Sequence, residues 1–68
     1  MATVARVTEI SSKSEKSFED AISAGIERAT KTLRNVESAW VKDQNVSIKD
    51  GKVAGYRVNL LVTFQLED

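Results

Sequence analysis

Residues 14–35 read SEKSFEDAISAGIERATKTLRN, and the fold turns on what this stretch becomes. Apolar side chains fall at Phe18, Ile22, Ile26, Ala29, Leu33 and, just beyond, Val36, in steps of four, four, three, four and three. Such steps keep one stripe on one side of an α-helix. Glu19, Glu27, Lys31 and Arg34 fall off the stripe and can stay in water. Ser14 can cap a first turn, which places Glu15, Glu19 and Asp20 near the positive end of the helix dipole. Ser17 followed by Asp20 is a second start signal, a capping-box variant with Asp in place of Glu or Gln. We place the start at Ser14, for a helix of about 30 Å. Lys31 and Arg34 suit its negative end, and Asn35 suits the exit. In a chain of 68 residues, the other segments must form a surface on which this element lies.

Residues 3–10, TVARVTEI, are dominated by β-branched side chains and predict a first strand, followed by a polar turn at Ser11, Ser12 and Lys13. Residues 38–49, SAWVKDQNVSIK, predict a second strand through Val41, Val46 and Ile48. Asp50-Gly51 then predicts a tight hairpin, because both residues tolerate positive φ. Residues 52–67 predict the clearest strand. Tyr56, Val58, Leu60, Val62, Phe64 and Leu66 share one face; Arg57, Asn59, Thr63, Gln65 and Glu67 take the other, with Leu61 the exception. This alternation describes a sheet packed on one side only. The resulting α+β order, β-α-β-β, predicts one domain over residues 1–68: a three-stranded antiparallel sheet with one helix on one face. A right-handed crossover places the third strand between the first two.

Composition narrows the function. The chain has ten basic and ten acidic residues, no Cys and no His. Disulfides, thiolate chemistry and a typical zinc site are excluded. No Gly-rich phosphate loop occurs and no serine has a visible base, so the sequence does not predict an enzyme. No basic patch predicts nucleic-acid binding. No apolar run approaches membrane-spanning length and no signal peptide precedes the first strand, so a soluble, cytoplasmic protein is expected. A core this small calls for reinforcement, and self-association is the route left.

The face away from the helix is where partners are sought. A two-residue hairpin sets Lys49 against Lys52. Counting back puts Trp40 opposite Leu61, Lys42 opposite Asn59 and Gln44 opposite Arg57. A Trp and a Leu side by side on an uncovered face suggest an interface between copies or a ligand platform. A bulge that returned Trp40 to the core is the third option.

The segments SFEDAI, AGIERATKTLRNV, DGKV and YRVNLLVTFQLE, in this order and across residues 4–67, resemble the dodecins, small prokaryotic proteins. The resemblance implies a sheet that partly wraps a long helix, and a homo-dodecameric hollow shell that binds and sequesters a flavin such as FMN or riboflavin. In flavin-binding members a Trp of the second strand stacks on the isoalloxazine ring, and a Gln early in the third strand hydrogen-bonds the ring edge. Counted from KTLRN, the Trp position falls at Ser38, with Trp40 two residues further on. Counted back from Phe64, the Gln position falls at Arg57. Ser38, Trp40 and Arg57 are therefore the candidate ligand-binding residues. Ser38 has no ring to stack, and Trp40 lies about 7 Å further along the same strand face. Arg57 can donate but cannot accept a hydrogen bond as Gln can. These changes argue against ordinary flavin binding and leave room for another planar or anionic ligand. The alternative is a non-flavin shell that is purely structural or holds a divalent cation such as calcium, its carboxylates gathered from several copies.

Overall fold

The computed structural model describes residues 2–66. Strand β1 (Ala5–Ser14) leads into helix α1 (Phe18–Thr32), followed by β2 (Val36–Lys49) and β3 (Lys52–Gln65). The strands form one antiparallel sheet in the order β1-β3-β2, with β3 in the middle as expected. The central strand carries the core: Val58, Leu60 and Val62 are fully buried beneath α1. Phe18 closes one end of this layer, its ring meeting Tyr56 edge-on at 5.1 Å between centroids.

The helix is shorter than its stripe implied, at 15 residues or about 22 Å. The predicted polar turn at Ser11, Ser12 and Lys13 is strand instead, and β1 runs on to Ser14, which pairs with Tyr56. Ser17, not Ser14, is the cap: its backbone is extended and its hydroxyl accepts from the Asp20 N–H at 3.0 Å. Ser14 has other work. Its buried hydroxyl donates to Asp20 Oδ2 at 2.6 Å and accepts from the Lys16 N–H at 2.9 Å, pinning the strand-to-helix turn. At the far end Leu33 is already extended, and Asn35 takes φ 59° to turn the chain into β2.

The buried face of α1 is made of small residues. Ala21, Gly25 and Ala29 point at the sheet, while Ile22, Ile26 and Leu33 flank them, partly buried. The close approach explains Gly25: a Cβ there would lie 3.1 Å from Ser12 Cβ and 3.2 Å from Leu60 Cδ1. A helix seated this deeply over β1 and β3 leaves the helix side of β2 only partly covered, at Val36 and Ala39.

The hairpin forms as read, with Asp50 at φ 52° and Gly51 at φ 74°, and Lys49 paired with Lys52. The register beyond it does not run straight. Between Ser47 and Ile48 the pairing skips Ala54 on β3; between Val41 and Asp43 it skips Lys42 on β2. The two bulges cancel, so Trp40 does stand opposite Leu61. Between them every pair is slipped by one: Asp43, not Lys42, faces Asn59, and Asn45, not Gln44, faces Arg57. A further irregularity skips Glu37 near the start of β2. Glu67, expected in the last strand, lies outside the described residues, and Leu66 falls just past the end of β3.

Candidate functional site: the uncovered face of the sheet

Alternation along β3 aims Arg57, Asn59, Leu61 and Thr63 away from α1, and the pairing assigns each a neighbour on both sides. Thr63 lies between Val7 and Ser38, Leu61 between Glu9 and Trp40, Asn59 between Ser11 and Asp43, and Arg57 between Lys13 and Asn45. Ser38 and Trp40 therefore share this face, two residues apart, as the sequence indicated. Trp40 is 71% exposed, which excludes the reading in which a bulge folded it into the core. Ser38 is exposed as well. Arg57 is on the same face but four positions along β3 from Leu61, about 13 Å away. Within one chain Trp40 and Arg57 do not converge.

The middle of the face is a polar ladder. The bulge residue Lys42 reaches across β3 to Glu9, Nζ to Oε1 3.3 Å, with both side chains about half exposed (49%). Asn59 donates to Asp43 Oδ1 at 2.6 Å. Arg57 donates through Nη1 to Ser11 Oγ at 2.9 Å. These bonds tie β1, β3 and β2 together on the solvent side, and they hold Arg57 down along the sheet. The sequence reading missed Ser11 and Lys13 as members of this face because it assigned them to a turn. It missed Asp43 and Asn45 because no feature of residues 42–47 advertises a bulge.

On the helix side two open grooves flank α1. One, of about 460 Å³, runs between α1 and β1, lined by Thr8, Ile10, Ser12, Ala29 and Leu33 with Arg28 at its edge. The other, of about 390 Å³, lies over β2 between Ile22 and Ile26 on one side and Val36, Ala39 and Val41 on the other, with Ser38 at its rim. Both exist because the small-residue face of α1 sits low on the sheet and its larger side chains splay to either side. No group of three or more acidic side chains able to hold a metal ion occurs among the described residues. No helix among them is long and apolar enough to cross a membrane.

Comparison with known proteins gives one consistent result. The Dodecin family model matches residues 4–67. A curated dodecin from Thermus thermophilus is 38% identical over 68 residues, covering all of this chain and 99% of that protein. The solved structure of dodecin from Streptomyces coelicolor superposes with a TM-score of 0.91 at 33% identity, over 97% of this chain and 94% of that one. A calcium dodecin from Mycobacterium tuberculosis, described as having a novel calcium-binding site, matches with a TM-score of 0.82 at 29% identity, over 96% of this chain and 93% of that one.

Proposed function

Because the chain belongs to the dodecin family, we propose that it assembles into a twelve-subunit shell and sequesters a small planar molecule on the uncovered face of its sheet. The exposure of Trp40 beside Leu61 is the observation that carries this reading. An indole left 71% exposed on a chain with so few fully buried side chains favours a stacking partner or a second copy. Val7, Val41, Ile48 and Val53 are also exposed by 47–61%, and burial between copies would supply the apolar contact that one chain lacks.

Flavin, as FMN or riboflavin, is the family's default ligand, and Trp40 sets the terms on which it could bind. The stacking platform is displaced by two residues from the family position at Ser38. The ring-edge contact comes from a cationic donor, Arg57, instead of an amide. A ring stacked on Trp40 would lie nearer Leu61, Glu9 and Lys42 than Thr63. The second reading is a shell that binds calcium, favoured by the relative that carries calcium in its name. Its carboxylates would be drawn from several copies. Neither reading involves catalysis by this chain.

A fluorescence titration separates them. Riboflavin should be quenched on addition of the wild-type protein, and the quenching should be lost in Trp40→Ala. Unquenched riboflavin, together with a melting temperature that rises with Ca²⁺ and reverts with chelator, would replace the first reading with the second.

A further inference from the structure

Among the described aspartates, one stands apart from the others. Asp20 lies in α1 and takes a hydrogen bond from the buried Ser14 hydroxyl, and the next residue, Ala21, has its N–H bonded to the Ser17 carbonyl. Asp43 lies in β2 and takes a hydrogen bond from Asn59. Asp50 sits at the exposed tip of the hairpin, and its carboxylate has no hydrogen-bond or ion-pair partner among the described residues.

The residue that follows Asp50 is Gly51. A Cβ placed on it would meet nothing within 4 Å, so neither a side chain nor a neighbour shields the peptide bond between the two. The Gly51 N–H takes no part in the backbone bonds of the turns and loops. The ladder resumes only at Lys52, paired with Lys49. Asp50 is also held at φ 52°, a left-handed conformation that costs free energy in a residue with a Cβ.

We propose that Asp50-Gly51 is a modification site at which the folded chain isomerises spontaneously from aspartate to isoaspartate. The Gly51 nitrogen attacks Cγ of the protonated Asp50 carboxyl. The N–Cγ bond forms, a carboxyl C–O bond breaks, and the hydroxyl leaves with the amide proton as water. The product is a five-membered succinimide. Water then adds back to the ring. Opening at Cγ restores aspartate. Opening at the main-chain carbonyl carbon of Asp50 breaks its bond to the Gly51 nitrogen, leaves the chain linked through the side chain and frees an α-carboxylate. No oxidant, metal or second substrate enters, and the mass does not change. Isoaspartate puts one extra carbon into the main chain. A two-residue turn matches the twist of its strands only at its own length, so the Lys49–Lys52 and Ile48–Val53 pairs come apart first. The hairpin tip is where this protein ages.

The test is incubation of the purified wild-type protein for weeks in neutral buffer. Aliquots are then denatured and digested with an endoproteinase that cuts before aspartate but not before isoaspartate. Cutting at Asp50 should fall with time and leave residues 43–67 joined, while cutting at Asp20 and Asp43 stays complete. Asp50→Asn suits the same turn and reaches the same succinimide by losing ammonia instead of water. It should react faster than wild type, with the mass gain of deamidation. Undiminished cutting at Asp50 over the time in which the urea-unfolded chain loses it would overturn the proposal, because the folded turn or a neighbouring copy would then hold nitrogen and carboxyl apart. An Asp50→Asn protein of unchanging mass would also overturn it, as would equal losses at Asp43 and Asp50.

Discussion

The two faces of the sheet come from the same three strands and follow opposite rules. Beneath α1, Val58, Leu60 and Val62 are sealed by Ala21, Gly25 and Ala29, and shape decides what is allowed there. On the other face, Trp40, Leu61 and Val7 sit among the Lys42–Glu9 ion pair and the Asn59–Asp43 and Arg57–Ser11 hydrogen bonds, and no helix or strand among the described residues packs over them. The first face holds the monomer together. The second is fixed in position by the first, and so is free to carry side chains chosen for partners. The difference explains how the chain can superpose closely on dodecin structures whatever side chains the outer face carries at Ser38 and Arg57, the positions proposed for ligand contact.

The sharpest way to break this comparison is to truncate neighbouring leucines on opposite faces. Leu60→Ala should cost about 2–5 kcal/mol, since it opens a cavity in a sealed layer. Leu61→Ala should cost about 1 kcal/mol or less in the isolated fold. Urea denaturation at fixed protomer concentration compares them. Equal losses would mean that the outer face is buried in the assembled protein as thoroughly as the inner one.

The next effect tests the close seat of the helix. Gly25→Leu should destabilise by about 1–3 kcal/mol through overpacking against Ser12 and Leu60. Gly25→Ala should be near neutral, because a gain in helix propensity of up to about 1 kcal/mol offsets small adjustments of those neighbours. Thermal melts of both variants check this, and a neutral Leu would show that α1 can lift off the sheet freely.

The smallest effect belongs to the outer ladder. Lys42→Met removes the half-exposed pair with Glu9 and should change stability by less than about 1 kcal/mol, with the difference fading as salt is added. A larger or salt-insensitive loss would place this pair in a buried contact between copies.

The strand order and the hairpin were legible because β3 alternates without interruption from Tyr56 to Leu60 and Asp50-Gly51 can hardly be anything but a turn. The face of the helix was legible only in part. Ile22 and Ile26 dominate an apolar stripe, yet Ala21 and Gly25 make the closest contact, and small residues add little to a hydrophobic pattern. The end of β1 was hidden because Ser11, Ser12, Lys13 and Ser14 look like a turn. The three serine side chains are absorbed instead by packing of Ser12 on Gly25 and by the bonds of Ser14 to Asp20 and of Arg57 to Ser11. Trp40 was placed opposite Leu61 correctly even though two bulges intervene, because they compensate; the slipped pairs between them were out of reach. The pairing of Lys13 with Arg57 stayed hidden for the same reason as the end of β1: with Lys13 in a turn, nothing stood opposite Arg57.

The central claim is that the uncovered face works in an assembled shell, and native mass spectrometry of the purified protein, with and without excess FMN, tests it most directly. The account predicts a twelve-subunit particle in both samples, with added ligand mass in the second. A monomer or dimer under conditions that preserve non-covalent assemblies would contradict it.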